Sequence, residues 1–187
     1  MPMKKITFNA PVILTFTLLS AGALIANTLT NGWANAWIFS IYRTSFRDPM
    51  QYVRLFTHVL GHASIDHYAS NMIMFLLVGP LLEEKYGSRR ILQVILVVAL
   101  VTGLVHLALP DNTALLGASG IDFAFILMAS VTGNNRGGIP LTMIIVAVIY
   151  LGRQIYAGIT ASDNISQLTH IIGGSIGALY GLALQKH

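Results

Sequence analysis

Apolar residues in this chain come in long, nearly uninterrupted runs, separated by short clusters of Gly, Pro, Asn and charged residues. The runs lie near Ala10 to Thr30, His67 to Leu82, Ile91 to Leu109, Leu115 to Thr132, Pro140 to Tyr156 and Ile165 to Leu184. A helix needs about 20 mainly apolar residues to cross the hydrocarbon of a bilayer, so this pattern predicts six membrane-spanning helices. The breaks have turn chemistry: Glu83 to Arg90 contains a helix-stopping Gly87, while Pro110-Asp111-Asn112 and Gly133 to Gly138 are rich in turn formers. One connection is different. Asn31 to Asp66 is too long for a simple turn and carries Trp33, Trp37, Phe39, Tyr42, Phe46, Tyr52 and Phe56 among scattered charges. Amphipathic aromatics favour the membrane interface, so this loop is expected to lie partly in the outer leaflet as an anchor. There is no internal repeat and no low-complexity tract, and the chain reads as a single transmembrane domain over 1–187. The first run is too long, and lacks the small-residue cleavage pattern, for a removed signal peptide.

Composition supports the same class. Hydrophobic residues make up 55% of the chain and charged residues only 10%, too little polar surface to cover a soluble globule of 187 residues. Charge then orients the bundle. Lys4, Lys5, Lys85, Arg89, Arg90, Arg136 and Lys186, seven of the eleven basic residues, fall on one side, which the positive-inside rule makes cytoplasmic, together with the N-terminus. Arg43, Arg47, Arg54 and Arg153 fall on the other. The net charge of +4 is thus a topology signal, and with no basic stripe the pattern excludes a nucleic-acid partner. Absence of cysteine excludes disulfides and thiolate sites. An integral location in the plasma (inner) membrane is expected, with the lipid bilayer as the constant partner.

Candidate chemistry concentrates in three runs. Gly117-Ala118-Ser119-Gly120 places a serine between glycines at the start of the fourth run, where free backbone N–H groups and the helix dipole favour negative charge. His170, the one histidine of the last run, is followed at a spacing close to four by Gly173, Gly177 and Gly181. Such a bare helix face permits close backbone contact. If its partner is the fourth run, the imidazole comes within reach of Ser119 as a general base. His67 and Asn71 stand one helical turn apart on the second run, and their N–H groups could converge on one oxyanion. Each feature has a plain structural alternative, since serine, glycine and buried amides also serve helix packing. His58 and His62 are also one turn apart, but Val59 stands where a zinc protease needs glutamate, so no metal is expected. Packing of the loop, or buffering of the cavity mouth, is the expected role of those two histidines. His106 is expected at the interface.

Taken together, these residues resemble the rhomboid family of intramembrane serine proteases, from about Arg54 to Gly181. The histidine-rich stretch His58, His62, His67, Asn71, the turn Glu83 with Gly87-Ser88, the nucleophile sequence Gly117 to Gly120, and His170 with Gly173 and Gly177 carry the resemblance. It implies a six-transmembrane-helix, all-α membrane protein whose cavity opens to the outer face. It further implies Ser119 as nucleophile, His170 as base of a dyad lacking aspartate, and His67, Asn71 and the Ser119 N–H as oxyanion donors, with no cofactor. The substrates implied are membrane proteins with single transmembrane helices. Two positions depart from the family: Val53 stands where Trp often precedes the loop arginine, which weakens the expected anchoring, and Asp122 stands where relatives are apolar. Asp122 and Phe123 are candidate modulators of the site, with Phe123 better placed against the His170 ring and a Ser-His-Asp triad disfavoured. The alternative is an inactive rhomboid-like protein that binds transmembrane helices.

Overall fold

The computed structural model describes residues 7–110, 113–132, 139–160 and 164–184. Among these residues, seven α-helices run in the order α1 (Pro11–Leu29), α2 (Pro49–Thr57), α3 (Ile65–Tyr86), α4 (Ser88–Ala108), α5 (Ser119–Val131), α6 (Leu141–Thr160) and α7 (Asn164–Leu184). Each of the six apolar runs has become a helix, and α2 is an additional short one inside the long loop. Among the described residues, α1, α3 and α4 are long and apolar enough to cross a membrane, whereas α5 is a shorter apolar helix. The fourth run differs most from expectation. Its first residues do not join the helix: Leu115 pairs instead with Ile41 by two backbone hydrogen bonds of 2.9 Å, and α5 starts only at Ser119. The turn after α3 is tighter than expected, with Gly87 at φ 82° linking α3 directly to α4.

Helix ends follow local chemistry. Pro11 and Pro49 start α1 and α2, where a missing N–H costs nothing. The Asp48 side chain caps α2 by accepting from Met50 N–H, and Ser64 caps α3 by accepting from His67 N–H. α1 has no side-chain cap of its own. Glu83, near the end of α3, supplies one from a distance: its two carboxylate oxygens accept the N–H groups of Val12 and Ile13, each at 3.0 Å. A negative charge at the positive end of the α1 dipole locks the two helices at one rim.

An apolar core joins these helices. The Phe75 ring of α3 stacks on Phe16 of α1 at 4.6 Å and meets Phe125 of α5 at 5.3 Å, so one aromatic column crosses three helices. Of α1, α3 and α4, α4 sits deepest: 44% of its apolar stretch is buried, against 22% for α1. α1 therefore presents most of its surface outward, to lipid. The closest packing is between α5 and α7. A Cβ built on Gly173 would lie 2.0 Å from the Gly120 carbonyl oxygen, and one on Gly177 would lie 1.9 Å from that of Ala124. Only glycine fits either place.

The long loop is ordered around one side chain. Arg54 of α2 is 2% exposed, and its guanidinium pairs with Asp48 at 2.7 Å and donates to Trp37 O, Tyr42 Oη and Thr44 Oγ1, each at 3.2 Å. The cation also lies 4.5 Å over the Tyr42 ring. Anchoring thus survives Val53, correcting the expectation from the missing tryptophan. Trp33 and Trp37 stack at 5.7 Å, and both rings remain half exposed, as do Tyr52 and Phe56. An apolar, outward-facing aromatic rim of this kind suits the bilayer interface.

Candidate active site

Ser119 is the first residue of α5, so its N–H and that of Gly120 precede the hydrogen-bonded turns, which begin with Ile121 N–H to Ala118 O at 2.8 Å. The segment before it is extended and fixed from three sides. Leu115 pairs with Ile41, Gly117 N–H donates to His58 O at 3.0 Å, and His106 Nε2 donates to Thr113 O at 2.8 Å. Gly117 then turns the chain at φ 124°, a conformation open to glycine and strained for other residues. It also faces the His67 imidazole, whose Nε2 would lie 2.9 Å from any Cβ placed there. The glycine before the serine is thus needed for conformation and for room. Gly120, after it, has nothing nearer than 3.6 Å to a built Cβ; its part is to offer backbone to Gly173.

The tight α5–α7 contact brings the dyad together. His170 Nε2 lies 2.7 Å from Ser119 Oγ. The imidazole also packs against the Phe123 ring, centroid to centroid 4.7 Å, one helical turn beyond the serine. That is the position expected to hold the histidine. Asp122 is not so placed: its side chain is buried, 6% exposed, and Oδ1 has no hydrogen-bond partner.

A cavity of about 280 Å3 opens beside Ser119, lined among others by His58, Ala63, His67, Thr102, Gly117 and Gly120. Its wall contributes ring nitrogens whose roles can be assigned from their partners. His67 Nδ1 accepts the Ala63 N–H at 3.4 Å, which leaves Nε2, on the Gly117 side, as the protonated nitrogen. His58 Nδ1 donates to Arg54 O at 3.0 Å, and its Nε2 faces Thr102 Oγ1 at 3.4 Å. Asn71 is placed otherwise than expected. It is buried and off the cavity wall, and its Nδ2 donates to His67 O at 2.9 Å within the same helix, so the expected convergence of His67 and Asn71 on one point is absent in this state.

Two further histidines support the surroundings of the site, and of these His106 departs from its expected place. His106 is 2% exposed, and instead of lying at the interface it braces the extended segment. His62 stacks edge-on against His67 at 5.1 Å and Tyr68 at 5.4 Å, and its Nδ1 donates to Leu60 O at 3.1 Å. In the loop, burial pushes both His58 and His62 down to about 4, and His67 lowers His62 further. Asp48 is lowered, chiefly by the Thr44 hydroxyl. The brace formed by His58, Thr102 and His106 was not foreseen. Its only trace in the sequence is the position of polar groups within an apolar run, which predicts partners but not which ones.

Known proteins are similar to this chain over most of its length. A Rhomboid domain profile matches residues 49–187. Rhomboid-related protein 1 of Caenorhabditis elegans is 30% identical over 140 residues, covering 68% of this chain and 38% of that protein. Rhomboid-related protein 3 of Homo sapiens is 28% identical over 149 residues, 72% of this chain and 37% of that protein. RHOMBOID-like protein 12, mitochondrial, of Arabidopsis thaliana is 24% identical over 198 residues, 94% and 59% respectively. The chain spans between about two fifths and three fifths of the length of these relatives. With the profile covering most of the chain, and the apolar helices described above, this is an integral membrane protein that belongs to the rhomboid family.

Proposed function

We propose that the protein is an intramembrane serine endopeptidase, a single domain with six transmembrane helices that cleaves other membrane proteins in or near a transmembrane segment. The observation that carries this reading is the 2.7 Å approach of His170 Nε2 to Ser119 Oγ at the wall of a cavity. In a neutral imidazole protonated on Nδ1, Nε2 accepts the serine proton as Oγ attacks the scissile carbonyl carbon. The carbonyl π electrons move onto oxygen. Donors for that oxyanion come from the Ser119 N–H at the start of α5 and from His67 Nε2–H across the cavity. Asn71 joins them by releasing the His67 carbonyl when substrate binds. The tetrahedral adduct then collapses, the imidazolium gives its proton to the leaving amide nitrogen, and an acyl-enzyme remains. Water, deprotonated by the same imidazole, hydrolyses the ester and restores both residues.

A helix keeps its peptide carbonyls in its own hydrogen bonds, so the scissile segment must unwind locally to reach Ser119. Substrates are therefore single-span membrane proteins with small or helix-breaking residues near the outer end of the span. The N-terminus is cytoplasmic and the plasma (inner) membrane is the site of action. The test is cleavage of a single-span reporter by the purified protein in detergent, beside Ser119→Ala and His170→Ala prepared identically. Cleavage by the unaltered protein alone is expected. Retained cleavage by Ser119→Ala would refute the nucleophile, and reporter binding without cleavage by any of the three would favour a non-catalytic escort of transmembrane helices.

A further inference from the structure

We infer that the protein binds an anionic phospholipid at the rim carrying Lys85, Arg89 and Arg90, with one acyl chain in the groove between α1 and α4 and its headgroup against Arg89. The groove has a volume of about 390 Å3 and is lined by Pro11, Thr15, Phe16, Leu19, Leu92 and Ile95, together with Val12 and Ser88. This is within the roughly 300–1,000 Å3 of ordinary small-molecule sites. Its lining is almost entirely apolar and faces outward from the bundle, so a hydrocarbon chain is the matching occupant. One end is different. There Pro11 and Ser88 begin their helices, at the rim where Glu83 ties α1 to α3.

Charge at that end selects the headgroup. Lys85, Arg89 and Arg90 are exposed, with one exposed carboxylate, Glu84, in the same turn. Glu83 is buried and makes no ion pair with them; its two oxygens accept the Val12 and Ile13 N–H groups. The side chains of Arg89 and Arg90 make no hydrogen bond or ion pair with any described residue, and the Lys85 ammonium has only the Tyr86 ring, 5.3 Å away. The helical period separates the two arginines. Ser88, Leu92 and Ile95 share the face of α4 that lines the groove; Arg89 stands at the edge of that face and Arg90 on the opposite side. Arg89 is therefore positioned to meet a phosphate whose chain lies in the groove, and Arg90 is not. A guanidinium also matches phosphate bidentately, which a zwitterionic headgroup would partly neutralise.

The experiment is native mass spectrometry of the full chain in detergent, titrated with phosphatidylglycerol or phosphatidylcholine of identical acyl chains. It requires no proteolysis, so its outcome is independent of the catalytic reading. One phosphatidylglycerol is expected to remain bound at concentrations where phosphatidylcholine does not, with occupancy falling as salt rises. Arg89→Gln should weaken phosphatidylglycerol binding about fivefold, the loss of one cation at a membrane surface, while Arg90→Gln changes it little. Thr15→Trp, which fills the groove, should remove both lipids. If Arg89→Gln fails to fold, Ser88→Asp makes the same test by adding a carboxylate at the headgroup end. Equal binding of the two lipids, equal losses for Arg89→Gln and Arg90→Gln, or a lipid-independent dimer that Thr15→Trp disrupts would each overturn the inference.

Discussion

Gly173 and Gly177 show how single residues decide whether the dyad exists. Each faces a backbone carbonyl that a methyl group would strike at about 2 Å, and a carbonyl held in a helix cannot move aside as a side-chain tip can. Gly173→Ala or Gly177→Ala is expected to spread α5 from α7, destabilise the bundle toward the upper end of the roughly 1–3 kcal/mol typical of overpacking, and stop cleavage by parting Ser119 from His170. Gly120→Ala, with 3.6 Å of room, should cost much less, and thermal unfolding of the three variants in detergent would rank them. Asp122 is predicted to behave oppositely. A buried carboxyl with an unpartnered oxygen carries a desolvation cost of about 1–3 kcal/mol. Asp122→Val should therefore raise the unfolding midpoint and leave cleavage intact, whereas loss of cleavage with retained stability would return Asp122 to the mechanism. The approach of His170 to Ser119 was legible in the sequence only in combination: each residue has a packing role of its own, but the glycine face after His170 predicted close contact with a second helix, and the glycine-flanked serine supplied that helix. The partners of His58 and His106 were not legible. A histidine in an apolar setting announces that it has a partner, but the Arg54 and Thr113 carbonyls are backbone, which leaves no mark on the sequence, and the Thr102 hydroxyl comes from a different helix.

At the scale of elements, length and polarity of the runs predicted six helices, and the boundaries moved where a tertiary contact competed with the helix. Leu115 to Ala118 are apolar enough to extend α5, yet Leu115 pairs with Ile41 and the chain unwinds to Gly117. Propensity alone cannot foresee that, because the competing strand partner comes from a loop far away in sequence. The loop itself is the least legible element. Its aromatics indicated an interface, but nothing in their spacing identified Arg54 as the residue to which Trp37, Tyr42, Thr44 and Asp48 all converge. Arg54→Gln is expected to release Asp48 and loosen the whole segment. The cost should be below that of a fully buried pair, because Asp48 is 30% exposed. Limited proteolysis checks this, with new cutting confined to the loop and α3 to α5 protected; uniform destabilisation would argue against an autonomous anchor. A parallel change at the other rim, Glu83→Gln, should cost about 1 kcal/mol or more by weakening the cap that Glu83 gives α1.

The whole molecule depends on pH through histidines that support the site without taking part in the chemistry. His58 lies under the cavity, with Nδ1 donating to Arg54 O, and its backbone carbonyl receives Gly117 N–H; His62 packs against His67. Both are held down to about 4 by burial, against an ordinary value of 6.5. Above 6.5 both are neutral whether the chain is folded or not, and they make no pH-dependent contribution. As pH falls from 6.5 toward 4, the unfolded chain takes up protons that the folded one refuses, so folded stability declines through this window. Asp48, held below the ordinary carboxylate range in the fold, adds a further loss only at more acidic pH. The unfolding midpoint in detergent should thus be flat from pH 8 to about 7 and fall steadily toward pH 5. Replacing His62 by Gln, which cannot titrate there, should flatten the slope while leaving the dyad in place. If both proteins lose stability equally between pH 7 and 5, the acid sensitivity resides elsewhere. If cleavage falls in this window while the fold remains intact, the acid sensitivity lies in the chemistry and not in the histidines that hold the site. Comparing the unfolding and activity profiles at the same pH values separates the histidines that hold the site from the one that acts in it.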